Sequence, residues 1–415
     1  MRNHQLYLIA KRELLVDLTL EKLSLIKMLQ KTFLNSSTKR VGYFSTYPPR
    51  ECGIANFTKD LSDAIYDLDG LKYSIIAINE KNAFYDYDRR VKFKIDRDDA
   101  EDFVKAAEYV NSSNIQLLIV QHEFGLYGGD YGEHIKLFLE NVKKPIITTL
   151  HTVQPNFDKK AIEILKYIVE RSESIVVIAH AAIDMLKRQG IPCKKCVVIP
   201  HGCPSIDCKN NKSIKESLGL EGRLVASTFG LISSGKGIEY VIRALPEVIK
   251  KEPRIIYLII GETHPEVRKY EGEKYRNELT RLVSELGLKE HVRFTNRFIT
   301  KRELIKFLQA TDIYITPYIS PNQISSGTLV YALGAGKAVV STPYYHAMEV
   351  LSNDRGILCR FKDSASIAEG INRLSDESLR SEIQKRAYKY SRRFLWKNVA
   401  RKYLKLINEV TEKNE

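Results

Sequence analysis

Short runs of nearly unbroken apolar residues recur along this chain. Each is closed by a polar or glycine-rich turn, and a stretch of helical periodicity usually follows. In the first half the runs are Val41-Gly42-Tyr43-Phe44, Tyr73–Ile78, Leu117–Val120, Pro145–Leu150 and Ser174–Ala179. In the second half they are Leu224–Phe229, Ile255–Ile260, Val292–Thr295, Ile313–Thr316, Ala338–Ser341 and Gly356–Cys359. Strands this short and this uniformly apolar belong to parallel sheets with helices on both faces. The alternation predicts an α/β protein with two Rossmann-like parallel-sheet domains. The crossing between them falls at residues 197–210, a strand followed by Pro200-His201-Gly202 and a polar stretch. Before the first run, Leu14, Leu15, Leu18, Leu23, Ile26 and Leu29 fall at near-helical spacing, and Asn35-Ser36-Ser37-Thr38 reads as a linker.

Open parallel sheets bind ligands at the carboxyl ends of their strands. The turns there are the places to look. The most informative stretch is Pro317–Tyr344: strand, polar turn, short apolar helix ending at Gly334 and Gly336, then a parallel strand. Its turn, Gln323-Ile324-Ser325-Ser326-Gly327-Thr328, offers backbone N–H groups at a helix N-terminus, a natural seat for phosphate. The hydroxyls of Ser325, Ser326 and Thr328 add partners, although an ordinary Ser/Thr helix cap has the same pattern. A second turn, Gly230 to Gly237, carries Ser234 and Lys236 at the mouth of a helix. Amides plus one point charge suit a diphosphate. It is not a Walker loop, because Gly237 follows Lys236 and the glycine spacing differs. In the first half, Ser45–Gly53 is a loop with two prolines whose closing Gly53 removes a Cβ from the path of a ligand. Two strands end in histidine turns: Gln121-His122-Glu123 and His151-Thr152-Val153. One such histidine is most simply a core residue; two on one edge point to a site.

Charge changes the picture less than its size suggests. The 415 residues carry a formal net charge of +14. Residues 1–40 hold eight Lys/Arg against three Asp/Glu, and residues 381–405 hold nine against one. The excess sits in two amphipathic ends, which suit an anionic membrane surface or simply a solvated helix face. No aromatic-interleaved basic stripe or docking motif supports nucleic-acid binding. No run of eighteen apolar residues is present and the N-terminus is too charged for a signal peptide, so a cytoplasmic protein is expected, with peripheral contact at the inner membrane face as the alternative. Cys193, Cys196, Cys203 and Cys208 cluster near His201. Their loose spacing and the intervening strand favour free thiols over zinc, and no metal is expected.

The order of these motifs resembles the GT-B fold glycosyltransferases, and within them the retaining family 4 group (glycosyl transferases group 1). The likeness covers about residues 40–410. It rests on the proline-rich loop ending in Gly53, His151 at a strand end, and Val198-Ile199-Pro200-His201-Gly202 at the crossing. It continues through Gly230–Gly237 with Lys236, the Gln323–Tyr331 segment, Gly334–Thr342, and a terminal helix bearing Phe394-Leu395-Trp396. The loops STYPPRECGIANFT and QHEFGLYGGDYG look like a subgroup often suspected of mannosyl or glucosyl transfer. The helical spacing and the linker mark an amphipathic helical extension at 1–38, and the resemblance implies an acceptor domain at 39–200. It also implies a nucleotide-sugar domain at 201–385 and a final helix at 386–415 packing back on the first domain.

The implied activity moves a hexose from a nucleotide-diphosphate sugar to a glycan, lipid-linked or small-molecule acceptor, with retention and without a cofactor. His151 and Lys236 would be catalytic. Gly53, Gly230, Ser234, Lys236, Gln323, Ser325, Ser326, Gly327, Thr328 and Tyr331 would hold the donor, and His122 and Glu123 would face the acceptor. Three positions depart from the family. Gln323 and Tyr331 stand where acidic residues are usual, and Leu231 where an arginine is usual, with Arg297 or another base as its substitute. These departures leave a second reading open, a GT-B-shaped protein that binds nucleotide sugars without turnover.

Overall fold

The computed structural model describes residues 40–207 and 211–414. The expected N-terminal extension at 1–38 lies outside them. Thirteen strands appear among the described residues: β1 (Arg40–Ser45), β2 (Lys72–Asn79), β3 (Val91–Asp96), β4 (Leu117–His122), β5 (Ile146–Leu150), β6 (Ser174–Val177), β7 (Cys196–Val198), β8 (Leu224–Phe229), β9 (Ile255–Ile260), β10 (Val292–Thr295), β11 (Ile313–Thr316), β12 (Ala338–Ser341) and β13 (Ile357–Leu358). They form two sheets, ordered β3-β2-β1-β4-β5-β6-β7 and β10-β9-β8-β11-β12-β13. Every pairing is parallel. The chain is thus two doubly wound α/β lobes, as the apolar runs predicted.

β3 is the strand the apolar runs did not reveal. It lies at the sheet edge, and its sequence VKFKID alternates, with Lys92 and Lys94 exposed. An edge strand lined with lysine resists pairing with another chain, and that is why it lacks the apolar signature of the inner strands.

Each sheet reverses winding direction once, between β1 and β4 and between β8 and β11. Crevices open at such points. The turns after β1, β4, β8 and β11 are four of the five polar turns described above; the fifth, at His151, follows β5, and both lobes present them toward the same cleft.

The last helix, Trp396–Asn414, leaves the second lobe and covers the first. Trp396, Val399, Ala400, Tyr403 and Ile407 are buried in one core with Tyr43, Phe57 and Ile75. The expected boundary at 386 is corrected here. It falls inside the helix Glu377–Ser391, which packs on Gly327–Gly334 in the second lobe, and the chain returns only from Trp396. The packing also bears on the membrane idea. The apolar face of this helix is occupied inside the protein, leaving Lys397, Arg401, Lys402 and Lys405 exposed. Among the described residues no helix is long and apolar enough to cross a membrane.

Candidate functional site

The second lobe supplies a cation and a line of hydroxyls. After β8 the backbone turns at Gly230 with φ 126°, a conformation that L side chains rarely adopt. Ser234–Lys236 forms a single 3₁₀ turn that carries Lys236 back over Tyr318. Lys236 Nζ donates to the Tyr318 hydroxyl at 2.9 Å and lies 4.4 Å from the ring centroid. The Tyr318 hydroxyl is 3.1 Å from Thr328 Oγ1, which is 3.2 Å from Ser326 Oγ. A chain of polar groups therefore joins the Gly230–Gly237 turn to the Gln323–Thr328 turn. Ser234 is exposed on the first turn and Ser325 half-buried on the second.

Burial alone would push the Tyr318 phenol up; the Lys236 ammonium and hydrogen bonds with Lys236, Thr328 and Ser326 outweigh it and bring the group down to about 8. Its phenolate is thus stabilised by the same charge that would stabilise a phosphate.

Ser326 caps the helix Gly327–Gly334, its hydroxyl accepting from the Leu329 amide, so the plain capping role is real. The Ser326 amide in turn donates to His346 Nδ1 at 2.8 Å. Gly327 is required by its neighbour, since a Cβ there would come within 2.8 Å of His201 Nε2. Burial holds His346 down at about 3, and it also lowers His201. Both rings are therefore neutral at neutral pH. Gln323 is exposed and its amide donates to the Ser325 carbonyl.

Two donor-side expectations change. The Tyr331 hydroxyl does not stand free for a ribose; it donates to Asp60 Oδ2 of the first lobe at 2.9 Å. Lys301 Nζ reaches Asp60 Oδ1 at 2.5 Å, so one nearly buried carboxylate ties the two lobes together. Arg297, the substitute base, is held by Glu303 on an exposed surface, at 2.5 Å.

The first lobe contributes neutral groups. His151 follows β5, and its Nε2 lies 2.8 Å from Gln121 Oε1 while the Phe57 ring packs edge-on at 4.8 Å. Burial, with His201 and His122 adding to it, holds the His151 imidazole down at about 3. Gly53 opens the helix Gly53–Asp69, and a Cβ there would meet no protein atom within 4 Å, so the space in front of it is open. Glu123 accepts from the Phe124 amide at 3.0 Å and from Thr152; burial raises its carboxyl while these bonds lower it.

His122 is a correction. It is completely buried, stacked on Tyr127 at 5.8 Å and edge-on to Phe124 at 4.9 Å, and among the described residues neither ring nitrogen has a partner. Successive strand residues point to opposite faces, so His122 turns into the core as Gln121 turns toward His151. It cannot touch an acceptor from there.

Cys208 lies outside the described residues, and the other three cysteines of the expected cluster are divided between the lobes. Cys193 and Cys196 pack at the β7 edge of the first lobe, and Cys203 is buried under Gly334 in the second. Among the described residues no group of three or more His, Cys, Asp or Glu could hold a metal.

Sequence reasoning missed Tyr318, Asp60, Gln121 and His346. Tyr318 and Gln121 were within reach, because each lies at or just beyond a strand's carboxyl end.

Two parallel-sheet lobes with their switch points facing one cleft are the GT-B fold. The solved structure of Anabaena Alr3699/HepE in complex with UDP and glucose superposes with a TM-score of 0.69 at 15% identity, covering 89% of this chain and 99% of that one. Residues 210–393, most of the second lobe, match the family model of the glycosyl transferases group 1. Among curated relatives, spore coat protein SA of Bacillus subtilis is 27% identical over 213 residues, 49% of this chain and 52% of that protein. Alpha-monoglucosyldiacylglycerol synthase of Streptococcus pneumoniae is 25% identical over 337 residues, 71% of each. The match to the first of these spans about half of that protein's length.

Proposed function

We propose that the chain is a retaining glycosyltransferase that moves a hexose, mannose or glucose, from a nucleoside-diphosphate sugar to a glycan, lipid-linked or small-molecule acceptor. The observation that carries this is the line from Lys236 through Tyr318 and Thr328 to Ser326, spanning two turns at a sheet's switch point. A departing diphosphate develops negative charge, and a fixed ammonium with hydroxyls and helix-end amides aimed at it lowers the barrier. The donor lies on the second lobe. His151, neutral and held against Gln121, meets the donor sugar from the first. Gly53 leaves room for the first loop to approach the phosphates. No metal or cofactor is required, because the ammonium and amides carry the charge.

The relatives support a sugar donor and a lipid-type acceptor: one neighbour was solved with UDP and glucose, and one relative is named for a glucosyl-diacylglycerol product. A second reading is favoured by Tyr331, whose hydroxyl is committed to Asp60, and by Leu231 and Gln323, which supply no charge. In that reading the cleft binds nucleotide sugars without turnover.

Thermal-shift screening against nucleoside diphosphates and sugar nucleotides, followed by measurement of nucleoside diphosphate released from each donor, separates the two. Binding raises the melting temperature of the folded form. Release of diphosphate from at least one donor is expected. A donor that binds and is never consumed establishes the second reading.

A further inference from the structure

Gln121 stands one strand away from His151. β4 and β5 run parallel, pairing Gln121 with Thr149 and His122 with Leu150. His151 is the next side chain beyond Thr149 on that face, and its ring settles against the Gln121 amide. Gln121 is completely buried. On one side Ser45 and Thr58 bond each other at 2.7 Å; on the other Thr149 bonds Tyr403 at 2.9 Å. Its own carbonyl accepts from the Tyr127 hydroxyl at 2.8 Å. These neighbours are paired among themselves, and among the described residues the Gln121 amide nitrogen is buried without a partner. An unmet buried donor destabilises the fold, a cost that a leucine of similar size would avoid. Folding alone does not call for glutamine here. Its one side-chain hydrogen bond goes to His151.

The geometry points to Gln121 as the positioning residue that holds His151 in one tautomer, with the proton on Nε2 and the Nδ1 lone pair offered to a hydroxyl of the donor sugar. This rests on the reading of His151 as the group that meets the donor. The amide oxygen accepts the Nε2 proton, and Phe57, edge-on at 4.8 Å with an interplanar angle of 90°, walls the ring in. With Nε2 protonated and the ring neutral, Nδ1 can only accept. An amide suits this position better than a carboxylate. A carboxylate would draw a second proton onto the ring, turn Nδ1 into a donor and place positive charge beside the reacting carbon. Glycosyl bond cleavage already builds positive charge there.

The test compares the full chain with Gln121→Leu, Gln121→Glu and His151→Ala. Kinetics use UDP-glucose and GDP-mannose from pH 5 to 9, and ring nitrogen shifts of His151 are read by long-range 1H–15N NMR. The wild-type ring is expected to show a protonated Nε2 and an unprotonated Nδ1. Gln121→Leu should mix the tautomers and lower kcat by about 10- to 100-fold with donor KM nearly unchanged, as misorientation without lost binding does. Gln121→Glu, the same size and still an acceptor, should keep the fold, bring a ring protonation into the assay range and make the rate fall with acid. An unchanged Nε2–H tautomer in Gln121→Leu overturns the proposal. So does full kcat in that variant when His151→Ala is inactive. If His151→Ala retains full activity, the donor-facing reading of His151 fails, and the NMR shifts still decide whether Gln121 sets the tautomer.

Discussion

The two lobes share a fold and differ in how they treat charge at the cleft. The second lobe keeps a cation there, Lys236, bonded to the Tyr318 phenol, which in turn lies against the Thr328 hydroxyl. In the first lobe burial holds the His151 ring neutral, down at about 3, against the uncharged Gln121 amide, while the Glu123 carboxyl is taken up by Thr152 and the Phe124 amide. The difference assigns different work to each side. Under the proposed function, variants of the second lobe should change donor affinity and leaving-group departure. The first is built to hold a ring in place, so its variants should change turnover through geometry.

The sharpest way to break this contrast is Lys236→Ala. Removing one preorganised charge from a developing anion costs about 100-fold or more in rate. Lys236 is half-exposed and forms no ion pair with a carboxylate among the described residues, so melting should shift by less than about 3 °C. Transfer rates and thermal melts on the same preparation check both halves. Equal losses in both would make Lys236 a structural residue and dissolve the contrast.

Much of this was legible in the sequence. Strands β8 to β12 lie on the apolar runs, and the glycine turns fell where the backbone does bend, because both signals are local. The place of Lys236 was legible for the same reason: a lysine in a glycine turn declares itself. The supporting side was not. Asp60 meets Tyr331 and Lys301 from the other lobe, and Gln121 meets His151 across a strand pairing. No local pattern encodes such contacts. His122 shows the converse failure. Its place at a strand end was correct, but one residue of register sent it to the opposite face.

A second prediction sharpens the charged side by pH. Tyr318 is depressed to about 8, so above that pH a phenolate grows beside Lys236 and competes for its charge. Donor kcat/KM should fall by up to about tenfold per pH unit above 8, since that ratio reports the free protein. kcat should change less, because bound diphosphate opposes the phenolate. Folding moves the other way. A phenol with a folded pKa below its unfolded value of about 10 contributes stability that is full above pH 10 and lost as pH falls through 8. Weaker donor use without thermal loss between pH 8 and 10 is therefore the expected signature. Tyr318→Phe should abolish the alkaline fall; an unaltered profile in that variant would separate Tyr318 from the donor site.

The smallest effect on activity is expected at His122, and it tests the neutral lobe. Burial holds its ring down at about 3, whereas an unfolded histidine takes its proton near 6.5. Between those values the unfolded chain binds a proton that the folded one refuses. Stability is therefore fully present above about 6.5 and drops as pH falls toward 3, by up to about 1.4 kcal/mol per unit for each such histidine. His151 and His346, also held at about 3, share the liability. His122→Phe removes one share. It also removes two unpartnered ring nitrogens from a pocket walled by Phe124 and Tyr127, which compensates for the slightly larger ring. Melts should match or exceed wild type at pH 7.5, and the advantage should grow to about 2 kcal/mol at pH 5. Transfer at pH 7.5 should be unchanged, because this ring points away from the face that carries Gln121 and His151. A well-folded variant that loses transfer would put His122 at the cleft after all, and the first lobe would then hold two working histidines instead of one.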